Sequence, residues 1–250
     1  MSYIKILETI LGDGKPKICV PLTPANEAQL RISLAEMKSA PFDLIEWRAD
    51  KYTLYSGTSD DLLFAASLIK DAFPDKPLIF TVRTSRDMED FQISDKDYAD
   101  INSNIILSHA ADLVDIEFSR GSELLAEMVS LAHSCGVKVI ASKHVRDHTP
   151  EAERIVSELT AMQSCGADIV KYAAMPQNER DVLTLLDATL TMKEHHDTTP
   201  FITMSMGRLG VLSRISGLLS GSCLTFGTIG TASAPGQLPC ERLRSILDSL

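Results

Sequence analysis

ADIVKYAAMP, residues 167–176, is the stretch on which the fold of this chain turns. Seven of its ten residues are apolar (Ala167, Ile169, Val170, Ala173, Ala174, Met175 and Pro176). They occupy both faces that a strand presents, the pattern of a strand in a parallel sheet covered by helices on both sides. Lys171 nevertheless stands in the middle, and an ammonium there requires a partner or a task.

Similar runs recur along the chain: ICVPL (18–22), LIEWRAD (44–50), PLIFTVR (77–83), LVDIEF (113–118), KVIASKH (138–144), FITMSM (201–206) and LTFGTI (224–229). With DIVKYAA (168–174) they predict eight strands, their starts roughly 23 to 36 residues apart. Most gaps carry apolar residues at helical spacing, such as Leu62, Ala65, Ala66, Leu68 and Ile69, so each repeat reads as a βα unit. Thr149-Pro150-Glu151-Ala152 is a helix start, with an N-cap, a proline at the first helical position and an early acid. Cys135-Gly136 and Cys165-Gly166 are glycine stops ahead of strands.

Eight such units in 250 residues predict an α/β fold, a closed (β/α)8 barrel formed as one domain over 1–250. No GxGxxG follows the first strand, which disfavours an open dinucleotide-binding sheet. KILETILGDGKPK (5–17) is suited to a hairpin, turning at Gly-Asp-Gly, that closes the barrel bottom.

The composition, 44% hydrophobic with mean hydropathy +0.04, is that of a soluble globular protein. Against 24 basic residues stand 34 acidic ones, and no Lys/Arg run occurs, which argues against nucleic acid or an anionic membrane as partner. An anionic substrate would have to be held by a few clustered arginines. No stretch approaches ~20 uninterrupted apolar residues, and the N-terminus lacks a signal-peptide pattern, so a cytosolic location is expected. Five scattered cysteines without a CxxC pair argue against disulfides and zinc.

In such a barrel, chemistry gathers where the strands end. The polar residues there are Glu46, Arg48, Arg83, Glu117, His144, Lys171, Ser205 and Thr228. Residues two apart share a face of a strand. Glu46 and Arg48 therefore point one way and Trp47 the other, while a lumen-facing His144 leaves Lys143 outside.

At its ordinary pKa a lysine is a free amine about once in 2,500 molecules at pH 7. Burial and the neighbouring cations Arg48 and Arg83 would both favour the neutral form of Lys171. A neutral amine attacks a ketone to give an imine, which acidifies the adjacent carbon, and His144 is the candidate base. Glu46 or another mouth acid would orient the imidazole, and the arginines would hold a carboxylate. A plainer reading stays open: Lys171 paired with a carboxylate, His144 as a packing residue and the arginines as a salt-bridge network. Arg214, in the seventh βα connection, is a further cation, and FGTIGTASAPGQ (226–237) is either a phosphate loop or a lid carrying Ser233 and Gln237.

Five segments in order, EWRAD (46–50), the Ser142-x-His144 pair, GADIVKYAAMP (166–176), SMGRLGVLSR (205–214) and SAPGQ (233–237), resemble the type I 3-dehydroquinate dehydratase family. The resemblance runs from about residue 17 to 248. It implies a barrel with no metal and no other cofactor, commonly homodimeric, that dehydrates 3-dehydroquinate to 3-dehydroshikimate in the shikimate pathway. By the same resemblance Lys171 is the imine lysine and His144 the general acid/base. Glu46, Arg48 and Arg83 match the substrate-contacting strand ends, Arg214 the carboxylate clamp, and Ser233 with Gln237 the closing loop. The chain departs from the family at Val145-Arg146, where many relatives have Asp-Phe, and at Pro21, where some have serine. The acid that supports the histidine falls near Asp87 or Glu89. Two rivals remain: an aldolase-like imine-forming barrel, which would share Lys171, and a binding barrel without turnover.

Overall fold

All eight expected strands are present, each ending within two residues of its predicted bounds. The computed structural model of the chain describes residues 2–56, 58–87, 91–230 and 236–250, the side chains of 53–56 excepted. A hairpin, β1 (Ile4–Ile6) and β2 (Thr9–Leu11), comes first. The repeating units follow: β3 (Lys17–Leu22) and α1 (Glu27–Met37), then β4 (Leu44–Arg48) with α2 (Ala49–Ser56) and α3 (Ser59–Ala72). Next come β5 (Leu78–Thr81) and α4 (Asp95–Leu107), β6 (Leu113–Glu117) and α5 (Ser122–Ser134), β7 (Lys138–Val145) and α6 (Ala152–Ser164). The chain continues through β8 (Ile169–Ala174) and α7 (Glu179–His195), then β9 (Phe201–Ser205) with α8 (Val211–Ile215) and α9 (Gly217–Ser220). It ends with β10 (Leu224–Thr228), β11 (Leu238–Pro239) and α10 (Cys240–Ser249).

Parallel ladders run in the order β10, β3, β4, β5, β6, β7, β8, β9, with the short β11 beside β10. The ring closes between β9 and the chain entering β10, where Cys223 N donates to Phe201 O at 2.9 Å and Thr203 N donates to Ser222 Oγ at 3.0 Å. The architecture is the predicted α/β barrel.

Strand alternation sorts the side chains into two cores. Trp47, Phe80, Val114, Ile116, Val139, Val170 and Tyr172 face outward into the helix layer. Leu44, Ile79, Leu113, Ile140, Ile169 and Ile202 face inward and pack with Ile6 and Leu11 of the hairpin, which thereby covers the bottom of the lumen. Each such side chain, fully buried, stabilises the fold by about 1.5–3 kcal/mol.

Two expectations need correction. The hairpin turns at Leu7-Glu8, with Leu7 at φ 51°, while the Gly-Asp-Gly segment follows β2. Helix α6 starts at Ala152 with Glu151 as N-cap, so Thr149 does not cap it and Pro150 lies outside it. Gly136 and Gly166 do adopt the left-handed conformation (φ 72° and 86°) expected at helix ends.

One register device lies at the bottom of the barrel. Asp43, Asp112 and Asp168 each accept the backbone N–H of the preceding strand, from Ile18 (2.8 Å), Leu78 (2.9 Å) and Val139 (2.9 Å). Each is neutralised by a cation, Arg244, Lys70 or Lys138 respectively. Those ion pairs hold the strand starts in step.

Candidate active site

Above the apolar floor the inward positions turn polar: Glu46 on β4, Thr81 on β5, Asp115 on β6, Ser142 on β7 and Lys171 on β8. Lys171 is only 3% exposed, and its Nζ donates to Glu46 Oε1 at 3.0 Å and Asp115 Oδ2 at 3.1 Å. It also lies 4.7 Å from the centre of the Phe226 ring. This corrects the expected neutral amine. Burial pulls the lysine down, but the two carboxylates outweigh burial and Arg83 together, so its pKa is raised and it rests as an ammonium.

Asp115 is more tightly held than its neighbour. Its Oδ1 accepts from Arg83 Nη2 at 2.8 Å and from Ser142 Oγ at 2.5 Å, leaving Oδ2 for Lys171. Burial works against its charge, yet Arg83, Lys171 and Ser142 hold its carboxyl far below the usual range. Glu46 gives Oε1 both to Lys171 and to Thr81 Oγ1, and among the described residues no hydrogen bond engages its Oε2. Its pKa is also lowered, with Lys171, Arg48 and Arg83 overcoming burial.

Arg83 is sunk in this network. Its Nη1 donates to Ser142 at 3.0 Å and approaches Glu117 at 3.4 Å and Asp87 at 3.5 Å. Arg48 pairs with Asp50 through Nε (2.8 Å) and Nη2 (2.9 Å), a bidentate bond that fixes the strand's last side chain. Asp50 Oδ1 in turn accepts from Arg83 N at 3.1 Å.

His144 faces the lumen as parity requires, and Lys143 points out to Glu158 on α6. The acid that orients the imidazole is Asp87, not Glu46: Asp87 Oδ2 is 3.0 Å from His144 Nδ1. A carboxylate there places the ring proton on Nδ1 and leaves Nε2 as the basic nitrogen. Burial and Arg83 together outweigh Asp87 and pull His144 down to about 4, so it is neutral at physiological pH. Glu89 lies outside the described residues.

Arg214 sits in α8, on the connection after β9, and is 4% exposed. Among the described residues no carboxylate pairs with it, and its buried Nε lacks a hydrogen-bond partner. Burial alone pulls its pKa down to about 10. Ser213 Oγ anchors this turn by accepting from Ser205 N at 2.9 Å and donating to Gly210 O at 2.7 Å. At Gly210 any Cβ would run into Ser205 O, so only glycine allows so close an approach. Gln237 is half-buried just before β11, whereas Ser233 falls in 231–235, outside the described residues.

One departure from the expected pattern, Val145-Arg146, falls beside the histidine and the other, Pro21, beside Glu46. Val145 ends β7, and Arg146 lines a cavity of about 610 Å³ together with Arg86, Asp87, His144 and Tyr172. Pro21 is the register partner of Glu46 in the β3–β4 ladder. Among the described residues no cluster of three or more His, Cys, Asp or Glu side chains is placed to hold a metal ion. The five cysteines are free, and Cys19, Cys223 and Cys240 are buried. Among the described residues no helix is long and apolar enough to cross a membrane.

Asp115 is not among the residues that the sequence singles out, although it carries the same signal as Lys171, a charge inside a buried strand (LVDIEF), two residues before Glu117.

The type I 3-dehydroquinase family model matches residues 18–250. The 3-dehydroquinate dehydratase of Escherichia coli O139:H28 is 40% identical over 250 residues, covering all of this chain and 99% of that protein. Among solved structures, the type I 3-dehydroquinate dehydratase of Clostridium difficile, solved with covalent modified comenic acid, superposes with TM-score 0.95 at 39% identity. The match covers 99% of this chain and 97% of that one. The 3-dehydroquinate dehydratase of Geobacillus kaustophilus gives 0.94 at 32% identity, over 100% and 96% of the two chains. With matches of this extent, the chain belongs to the type I 3-dehydroquinase family.

Proposed function

We propose that this enzyme, a 3-dehydroquinate dehydratase by family, removes water from 3-dehydroquinate through an imine between Lys171 Nζ and the ring ketone. The observation that carries the reading is the placement of a buried lysine between two carboxylates, one strand away from a neutral histidine held by Asp87. The covalent modified ligand of the Clostridium difficile relative supports a covalent route.

Charge conservation explains why an ion-paired lysine suits this chemistry. An ammonium and a ketone give an iminium and water: Nζ releases two hydrogens with the ketone oxygen and keeps one. Glu46 and Asp115 therefore face a cation before and after the step. Attack itself needs the nitrogen lone pair, so one proton moves for a time to a neighbouring base, Glu46 or neutral His144.

The iminium then acidifies the adjacent methylene. His144 Nε2 takes a proton from that carbon, and the C–H electrons form an enamine. As the enamine reverts to an iminium, the C–O bond to the β-hydroxyl breaks, and the imidazolium returns its proton to the departing oxygen. Hydrolysis releases 3-dehydroshikimate and restores the ammonium. General acid/base assistance of this kind contributes about 10²–10⁴-fold.

In this reading Arg214 holds the substrate carboxylate, an anion that its buried guanidinium lacks among the described residues. Glu46, Arg48 and Arg83 line the lumen beneath the ring, and Ser233 and Gln237 are taken over from the family as further substrate contacts. A homodimeric state and a cytosolic location are taken over from the family, and a monomeric mass by light scattering would remove the first. The test is the ultraviolet absorbance of the conjugated enoate formed from 3-dehydroquinate. Appearance of that band is expected. Carbon–carbon cleavage products would point to an aldolase-like barrel, and binding without any product to a barrel that has lost turnover.

A further inference from the structure

We infer that Asp115 is a positioning residue of the reaction: locked by Arg83 and Ser142, it is the fixed anion that holds the Lys171 nitrogen in place, while Glu46 is the carboxylate free to respond. This rests on the imine reading above.

The two acids beside Lys171 lie at nearly equal distances, 3.0 and 3.1 Å, but their surroundings differ. Asp115 is wholly buried, and three donors converge on its oxygens, Arg83 from beyond β5 at 2.8 Å, Ser142 of β7 at 2.5 Å and Lys171 of β8 at 3.1 Å. Arg83 is itself held in place by Ser142, Glu117 and Asp87. A carboxylate in that cage can neither rotate nor accept a proton without breaking charge-assisted bonds. Glu46 keeps one hydroxyl donor, Thr81 at 3.2 Å, and among the described residues no hydrogen bond engages its Oε2. It can therefore turn or take a proton as the ammonium becomes a carbinolamine and then an iminium. Through all these species the nitrogen needs one immobile counter-charge, and Asp115 supplies it. Arg83, which the resemblance places at the substrate, acts here through Asp115.

The Asp115→Asn variant removes that charge with little change in volume. Expected are a fall in kcat of at least ~10²-fold, a KM within about threefold of wild type, and imine formation that titrates at lower pH, because Lys171 loses one of the two anions that raise its pKa. Ser142→Ala keeps the charge and loosens the cage. It should lower kcat by about tenfold without moving the titration. A purely structural role for Asp115 would lower the melting temperature while leaving kcat per folded molecule and the pH profile unchanged, and that result overturns the inference. Should Asp115→Asn fail to fold, Ser142→Ala decides, and a wild-type kcat there is the contrary outcome. Borohydride trapping of the wild type separates the two layers: an unlabelled Lys171 removes the imine reading itself, whereas a labelled wild type beside a kinetically normal Asp115→Asn removes only the role of Asp115.

Discussion

Asp87 Oδ2 accepts two hydrogen bonds from His144, one from its backbone N at 2.9 Å and one from Nδ1 at 3.0 Å. A single carboxylate oxygen thus fixes both the strand end and the ring it carries. The same Asp87 is anchored from behind by Ser119 Oγ at 2.5 Å.

The Asp87→Asn variant should lose about 10²-fold in kcat, because the imidazole loses both its orientation and the anion that stabilises its protonated form. Asp87 raises the pKa of His144, which rests at about 4 because burial and Arg83 prevail. Without Asp87 the histidine falls further, so the acid limb of the kcat profile moves to lower pH. A limb that moves upward, or an unchanged kcat, contradicts this role.

The same histidine couples stability to pH. Folded, it titrates at about 4; unfolded, near its ordinary 6.5. Above pH 6.5 neither state binds the proton and the effect is nil. Between 6.5 and 4 the unfolded chain takes up the proton first, so stability falls with pH across that window, by roughly 3 kcal/mol in all. Urea unfolding at pH 7 and pH 4.5 measures it. In His144→Gln this part of the loss should vanish, and an identical loss in the variant would assign the effect elsewhere.

Arg214 carries a trade between binding and stability. Its guanidinium is buried without a carboxylate among the described residues, a cost that a bound substrate anion would remove. Arg214→Leu should raise KM at least tenfold and, unlike most core changes, leave the melting temperature unchanged or raise it by a few degrees. Calorimetry and steady-state kinetics on one preparation test both halves. A large drop in melting temperature with normal KM would make Arg214 a structural residue.

Gly210 ties that arginine to the barrel. Because a Cβ there meets Ser205 O, Gly210→Ala must push α8 away from the end of β9. A loss of about 1–3 kcal/mol in stability together with a raised KM is expected, since α8 carries Arg214. Wild-type affinity in a folded variant would uncouple this turn from the site.

The strands and their facing were legible because alternation and apolar runs are local properties of the chain. Parity sets Lys171 on the face of Ile169 and His144 opposite Lys143. The state of Lys171 was not legible, because its two carboxylates come from strands 125 and 56 residues away in sequence. Arginines mark the strand ends, whereas Asp115 lies inside β6, so the fold builds a balanced pocket where the ends alone suggest a cationic one. The hairpin turn at Leu7-Glu8 escaped for a similar reason: a leucine at positive φ carries no signature, whereas Gly-Asp-Gly bends the chain after the hairpin, not within it.

Borohydride reduction during turnover, followed by peptide mapping, examines the lysine itself. The expected result is one added ligand mass on the peptide containing Lys171, retained in His144→Ala, which forms the imine but turns over far more slowly. Full turnover with Lys171 unmodified, or a label that persists in Lys171→Ala, would contradict it.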